Sequence, residues 1–395
     1  MRLSAETAVG VLGAGTMGAG IAQVAAAAGH RVVLADAQEG AVGRARDGHA
    51  KAIARDVEKG RLTGDKAAEL LARISYATVS AGDLAAFSGA GLVIEAIVED
   101  LGIKKTTFKA LEAVTGDTAV VATNTSSLSV TAIAAACRLP ERVIGIHFFN
   151  PAPVLPLVEI VPGIATSRET TVAAEALIKA WGKVTVVASD TPGFIVNRIA
   201  RPFYSEALRI YEEGIADRAT IDWAMRDVGG FKMGPFELMD LIGNDVNFAV
   251  SQSVFEAFSF DPRYRPFLTQ RRLVEAGLLG RKTGRGHFDY RPGAAQPSPN
   301  GDRGLAETIV NRVLAVLINS AIDALFWQVA SRDDIDLAMT KGVNYPKGLL
   351  KWADEIGPDV LLERLDRLLA EYGEDRYRAS PLLRRMVAHE RTFSP

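Results

Sequence analysis

The stretch from Thr7 to Asp36 constrains this chain more than any other. Thr7–Leu12 (TAVGVL) is short, apolar and partly β-branched, the pattern of a buried parallel strand. Gly13-Ala14-Gly15-Thr16-Met17-Gly18 follows at once. Gly20–Ala28 then reads as an alanine-rich helix stopped by Gly29, and His30–Ala35 (HRVVLA) as a second strand closed by Asp36. Strand, glycine turn, helix and strand in that order form the dinucleotide-binding pattern. Gly13 permits the tight turn, Gly15 lets the backbone approach a pyrophosphate, and Gly18 lets helix and strand pack closely. Ala14, Thr16 and Met17 complete the loop, and the helix N-terminus offers N–H groups and a partial positive charge to phosphate. Asp36 lies 23 residues after Gly13, where it can accept the ribose hydroxyls. Its charge repels a 2′-phosphate, so the expected cofactor is NAD rather than NADP. A lone glycine turn is a weak signal, but the ordered set outweighs a merely structural turn.

The same stretch holds an uncharged run of 23 residues, Thr7–Gly29, long enough to test as a membrane span. Six glycines, at 10, 13, 15, 18, 20 and 29, interrupt it, and Glu6 and Arg31 bracket it closely, so no membrane span is expected. A secretory signal is not expected either, because Arg2 is the only early basic residue and no leucine-rich run follows. With 45 basic and 47 acidic residues the net charge is −2, and no global basic field draws in nucleic acid or anionic lipid. The single cysteine, Cys137, excludes an internal disulfide framework and a Cys-rich zinc site. No metal is expected, and a reducing cytoplasm suits the composition.

Further apolar runs continue the strand pattern. Leu92–Ile97 (LVIEAI), Ala119–Ala122, Val143–Ile146, Leu157–Val161 and Lys183–Ala188 read as strands. Between them, Ala41–Arg73 is helix-compatible with a turn at 60–64. Alternation of this kind predicts a doubly wound parallel sheet, with ligands at the carboxyl ends of its strands. The polar segments that close those strands are therefore placed for chemistry. Arg44, Lys51, Arg55 and Lys59 recur at helical spacing. They form either a clamp for a phosphorylated ligand or, the favoured reading, a solvated basic face.

From about Phe194 the rest reads as helical, with residues 291–304 (RPGAAQPSPNGDRG) as a linker. An internal repeat explains the excess length. Ile195-Val196-Asn197-Arg198 recurs as Ile309-Val310-Asn311-Arg312, an offset of 114. The same offset carries Ile221-Asp222 onto Ile335-Asp336, Gly234 onto Gly348, Asp240 onto Asp354 and Gly243 onto Gly357. Ungapped, positions 195–243 share 15 of 49 residues with 309–357, against about three by chance. The expected architecture is α/β: an N-terminal Rossmann-like doubly wound sheet followed by two related all-helical domains. The expected divisions are 1–187 for nucleotide binding, 188–290 for a helical domain completing the active site, and 303–395 for its second copy.

A nicotinamide domain needs a base for an alcohol proton and groups to hold the oxygen. His147 ends a strand where the nicotinamide should lie, and imidazole titrates near working pH. Glu159, 12 residues on, is a plausible carboxylate to orient it. A lone histidine is more often structural, so spacing alone leaves both readings open.

The string of motifs adds to this. In order stand Gly13–Gly18 with Asp36, Glu95–Glu99 (EAIVE), Asn124–Leu128 (NTSSL), His147–Pro151 (HFFNP), Asp190–Arg198 (DTPGFIVNR), Gly234–Asp240 (GPFELMD) and Gly280–Gly286 (GRKTGRG). Together, over about residues 5–290, they resemble the L-3-hydroxyacyl-CoA dehydrogenases of fatty-acid β-oxidation and related acyl-CoA pathways. The second helical copy resembles that of tandem-domain members, including those like 3-hydroxybutyryl-CoA dehydrogenases. The resemblance implies a 3-hydroxyacyl-CoA substrate and His147–Glu159 as the catalytic pair. It implies that Ser126 bonds the substrate oxygen and that Asn197 supports the carbonyl oxygen and the histidine. It places Glu99 and Lys104 near the nicotinamide ribose, with Lys104 also in reach of substrate, and Asn150 and Lys282 on the cofactor side. Lys59 falls near a basic residue that contacts CoA in some members, but a nearby serine of theirs is Ala52 here. In the last motif His287-Phe288 stands where two aromatics are common, and His287 is read as structural. Single-copy members dimerise through the helical domain, so a homodimer and an internal pseudo-dimer of helical domains both remain open. A short β-hydroxyacid or phosphogluconate-type dehydrogenase shares the first motif but uses a lysine-centred site. A non-catalytic NAD-binding relative would not need the intact Ser126–His147–Glu159–Asn197 set.

Overall fold

The computed structural model describes residues 3–80 and 82–393. The chain forms two compact units that meet in sequence at Phe194 and Ile195.

The first unit is built on eight strands: β1 (Val9–Leu12), β2 (Val32–Asp36), β3 (Ile74–Thr78), β4 (Leu92–Glu95), β5 (Val120–Thr123), β6 (Val143–Phe148), β7 (Leu157–Pro162) and β8 (Val184–Val187). They lie in the order β3-β2-β1-β4-β5-β6-β7-β8. Six helices accompany them: α1 (Thr16–Ala27), α2 (Glu39–Glu58), α3 (Gly64–Ala72), α4 (Leu101–Val114), α5 (Val130–Ala134) and α6 (Arg168–Ala180). Because successive strand side chains point to opposite faces, each strand feeds two cores. Val11, Leu34, Ile94, Ala122 and Ile146 join Ile21 of α1, Ile53 of α2 and Ile178 of α6. Leu12, Ala35, Val93, Val121 and Val143 join Phe108 and Leu111 of α4 and Ile133 of α5. Burying each such side chain is worth about 1.5–3 kcal/mol, so both faces must be covered. The strands therefore read as continuous apolar runs, as they do in the sequence.

Thr7–Gly29 is thus a strand, a turn and a helix, not an apolar span. Two details depart from the sequence reading. The edge strand β3 (ISYAT) gives no apolar run, because only Ile74 of its five residues is buried. More consequentially, β7 runs antiparallel to β6, with His147 opposite Glu159. Parallel strands need a crossover of a dozen or more residues, and the segment 149–156 is too short for one. Glu159 lies inside β7, buried.

The second unit is helical: α7 (Val196–Ile199), α8 (Arg201–Glu212), α9 (Arg218–Trp223), α10 (Pro235–Ile242), α11 (Asn244–Ala257), α12 (Leu268–Glu275), α13 (Arg303–Phe326), α14 (Arg332–Gly342), α15 (Leu349–Ile356), α16 (Pro358–Tyr372) and α17 (Pro381–Ala388). Its local geometry repeats at the 114-residue offset. Asp222 accepts the N–H groups of Phe236 and Glu237 at 2.9 and 2.8 Å. Asp336 accepts those of Leu350 and Lys351 at 2.8 and 3.0 Å. In both copies the intervening residue must be glycine, since a Cβ on Gly234 or Gly348 would lie 2.2 Å from that aspartate. Gly243 and Gly357 both hold positive φ, at 102° and 97°.

The copies share a core. Helix α13 packs on α8, and its Arg312 is buried against Glu206 at 2.6 Å and Glu213 at 2.8 Å. Tyr377 donates to Glu206 at 2.7 Å, and Tyr372 to Glu213 at 2.9 Å. Among the described residues, α13 is the one helix long and apolar enough to cross a membrane by length and composition, with mean hydropathy 1.7. Of that window, 72% is buried inside the protein, as expected of a core helix.

Candidate active site

The parallel strands β1, β4, β5 and β6 end on one edge of the sheet, and each hands the chain to a polar segment there. After β1 comes the glycine turn. Gly13 has φ 105°, and a Cβ there would lie 2.5 Å from the Ala96 carbonyl oxygen. A Cβ on Gly18 would lie 1.7 Å from the Gly13 oxygen. These two glycines are demanded by the protein's own packing. A Cβ on Gly15 would meet nothing within 4 Å, so the chain's own packing does not require glycine there. Gly15 is also the N-cap of α1 and offers no capping side chain. The N–H groups of the first helical turn, including Thr16 and Met17, are left for an anion. Asp36, at the end of β2, accepts from Ala14 N at 2.7 Å and Gln38 N at 2.9 Å, which fixes its carboxylate beside the turn. This set fits the pyrophosphate and ribose of NAD.

At the end of β6, His147 is 5% exposed and Glu159 is fully buried. Their position across an antiparallel pair brings His147 Nδ1 to 2.7 Å from Glu159 Oε2. The imidazole packs on Phe149, with ring centroids 4.5 Å apart, and on Phe194 at 5.8 Å. A carboxylate on Nδ1 sets the tautomer and leaves Nε2 as the basic position.

Ser126 lies in the segment after β5. Register ties this segment to β6, since Thr123 pairs with Gly145, two residues before His147. Asn124 Oδ1 accepts from Phe148 N at 2.8 Å, a second tie. Glu99 gathers the segment: Ser126 N donates to it at 3.2 Å and Ser127 Oγ at 3.0 Å, and Thr125 Oγ1 donates as well. Lys104 is 1% exposed and pairs with Glu95 at 2.6 Å and Glu99 at 3.2 Å. Burial opposes ionisation of Glu99, but the Lys104 charge and the bonds from Thr125, Lys104 and Ser127 hold its carboxyl below the usual value.

Asn150 is exposed just beyond β6. Lys59 ends α2 and is exposed, as are Arg44, Lys51 and Arg55 on the same helix. None of these four basic side chains makes an ion pair among the described residues, as a solvated face or a ligand clamp both require. In the second unit, Asn197 is half-buried on α7, and Lys282 pairs with Asp245 at 2.6 Å. His287 is buried against Phe236, and burial, then Arg218, pushes its pKa down to about 3, which leaves it neutral. No group of His, Cys, Asp and Glu suited to a metal ion occurs among the described residues.

Sequence reasoning missed Glu95, Thr123 and Thr125. The available signal was a charged residue inside an otherwise apolar strand, Leu92–Glu95, since a buried charge must be paired.

A family model described as the NAD binding domain of 3-hydroxyacyl-CoA dehydrogenase matches residues 8–191. A second, the C-terminal domain of the same enzymes, matches twice, at 193–290 and 309–393. The chain is 41% identical to a 3-hydroxyadipyl-CoA dehydrogenase of Escherichia coli K12, covering 99% of each. It is 40% identical to the human mitochondrial hydroxyacyl-coenzyme A dehydrogenase, over 72% of this chain and 91% of that one. A crystal structure of a 3-hydroxybutyryl-CoA dehydrogenase from E. coli K12 superposes with a TM-score of 0.92 at 39% identity, covering 98% of this chain and 99% of that one.

Proposed function

This chain belongs to the 3-hydroxyacyl-CoA dehydrogenase family of NAD-dependent oxidoreductases, and on that premise we propose that it oxidises (S)-3-hydroxyacyl-CoA to 3-ketoacyl-CoA with His147 as general base. The observation that carries this reading is the 2.7 Å bond between His147 Nδ1 and Glu159 Oε2. It prepares Nε2 to take the proton of the C3 hydroxyl. Bound NAD⁺ supplies the hydride acceptor. Glu159 holds the tautomer and stabilises the imidazolium once the proton is taken. Phe149 and Phe194 exclude water around the ring, which strengthens that charge interaction. Ser126 donates to the substrate oxygen, and Asn197 supports the carbonyl oxygen and the histidine. Glu99, Lys104, Asn150 and Lys282 belong to the cofactor side. The ammonium of Lys104 is already shared by two carboxylates, so its influence on substrate or ribose runs through Glu99. Lys59, on its exposed helix end, is proposed to meet CoA phosphate.

The proposed division is a nucleotide domain over 1–187, a helical domain over 188–290 that completes the site, and a second copy over 303–395 that acts as scaffold. Burial of Arg312 against Glu206 and Glu213 favours the second copy as a partner surface in cis, an internal pseudo-dimer rather than an obligatory homodimer. The proposed setting is acyl-CoA catabolism of the β-oxidation type in the cytoplasm.

The test is NADH formation from NAD⁺ with a panel of short, long and dicarboxylic (S)-3-hydroxyacyl-CoAs, beside free 3-hydroxy acids. The dicarboxylic arm follows from the E. coli relative's name. Turnover of the thioesters but not the free acids is expected. Turnover of free acids alone would favour the β-hydroxyacid type of enzyme.

A further inference from the structure

The segment that carries Ser126 has no regular secondary structure, yet none of its amides is left over. Thr125 N donates to Thr123 Oγ1 at 3.2 Å, and Ser126 N to Glu99 Oε1 at 3.2 Å. Ser127 N and Leu128 N both donate to Thr125 Oγ1, at 3.3 and 2.9 Å. Four consecutive amides are thus held by side chains alone. The two threonine hydroxyls act as relays. Each donates its one proton to a carboxylate and accepts amides on its lone pairs. Thr123 Oγ1 donates to Glu95 Oε2 at 2.8 Å, and Thr125 Oγ1 donates to Glu99 Oε1. The two carboxylates are joined by Lys104, 2.6 Å from Glu95 and 3.2 Å from Glu99.

Glu95 is fully buried and Lys104 is 1% exposed. Two charges withdrawn from water in this way add little net stability. What they fix is geometry. Glu95 Oε1 accepts from both Ile97 N, at 2.7 Å, and Lys104 Nζ, while Oε2 takes Thr123. Both oxygens are engaged, by donors from the β4–α4 connection, from α4 and from β5.

We propose that the buried Glu95–Lys104 pair is a positioning device: through Thr123, Glu99 and Thr125 it sets the backbone of residues 125–128 and thereby the hydroxyl of Ser126. This rests on the reading of Ser126 as a substrate contact. Neither Glu95 nor Thr123 touches substrate or cofactor in this account. Both act through the loop.

A glutamine at position 95 cannot reproduce the pattern. It has one acceptor oxygen, so its NH₂ must face either Thr123 or the pair of donors from Ile97 and Lys104. Thr123→Val removes only the relay, at nearly constant shape, and Thr123→Ser keeps it.

The experiment uses the full chain and two readouts. The first is acetoacetyl-CoA reduction by NADH, as kcat and KM. The second is hydrogen exchange of the amides of residues 125–128. Glu95→Gln and Thr123→Val are expected to lower kcat/KM about 10- to 100-fold, the scale of a catalytic group displaced by about 1 Å. Exchange at 125–128 should accelerate at least about tenfold, a difference of about 1.4 kcal/mol in opening. Thr123→Ser should stay within about threefold of wild type on both readouts. Exchange and kcat/KM unchanged in Thr123→Val, with Glu95→Gln showing only a lower Tm, would overturn the proposal and leave the pair structural. Should the wild type fail to reduce acetoacetyl-CoA, kcat and KM are read on the 3-ketoacyl-CoA it does reduce; failure across short, long and dicarboxylic 3-ketoacyl-CoAs counts against the dehydrogenase reading, and the exchange arm alone then decides the positioning.

Discussion

Two charge clusters lie at the carboxyl edge of the same sheet, and they are built differently. Around His147 a single carboxylate binds one ring nitrogen at 2.7 Å, which leaves the other nitrogen for work. Around Lys104 two carboxylates accept from a lysine, three hydroxyls and two backbone amides, and both oxygens of Glu95 are engaged. A reacting group needs an unused hydrogen-bonding position and a neighbour that stabilises its charged form. A positioning group needs bonds to each of the segments it holds in place. On the proposed roles, the difference separates chemistry from support where burial and charge alone do not.

That distinction predicts a ranked series of losses. Replacing His147 with Gln removes the base and should reduce kcat by about 10³–10⁴, with NAD⁺ affinity within a few-fold of wild type. Steady-state kinetics beside NADH fluorescence titration separate the two effects. Glu159→Gln keeps the hydrogen-bond length but not the charge, and permits the wrong tautomer. A loss of about 10²–10³ in kcat is expected, short of the loss from removing the base. A loss under about threefold would place Glu159 among the purely structural groups. Ser126→Ala deletes the proposed bond to the substrate oxygen and leaves its amide to Glu99 intact. It should cost about 10- to 100-fold in kcat/KM without faster amide exchange at 125–128, unlike the Glu95 variant.

The smallest effect is a pH effect on the support cluster. The Glu99 carboxyl titrates below its ordinary 4.5 in the folded protein, where Lys104 and the Thr125 and Ser127 hydroxyls outweigh the cost of burial. A lowered folded pKa gives stability that is present above the unfolded value and is lost as pH falls through the folded one. Ordering of residues 125–128 should therefore hold from neutral pH down to about 4.5 and loosen below it. Loosening that begins between pH 6 and 7 would mean another group controls the segment.

Much of this molecule is legible in its sequence because its demands fall on residue types with few alternatives. Gly13 and Gly18 are readable since no side chain fits there, and Gly15 since none may intrude on a phosphate. The helical repeat is readable because an aspartate taking two amides requires a glycine 12 residues later, in both copies. What escapes the sequence is pairing. The edge strand β3 buries one residue and so leaves no apolar signature. The reversal of β7 depends on a short connection whose outcome no local pattern reports, yet that reversal sets His147 opposite Glu159. Lys104 shows the same limit. Its place in the chain suits contact with ribose or substrate, but only the fold reveals that its ammonium is committed to Glu95 and Glu99.

The central claim is that His147 and Glu159 act as one unit, a base and the carboxylate that orients and stabilises it. A double-mutant cycle on kcat, with His147→Gln, Glu159→Gln and the double variant in the full chain, tests it directly. If the claim holds, losing the carboxylate matters little once the base is gone, and the double variant falls within about threefold of His147→Gln alone. If the two losses instead multiply, each residue contributes independently, and the pair seen at 2.7 Å is not the catalytic unit of this enzyme.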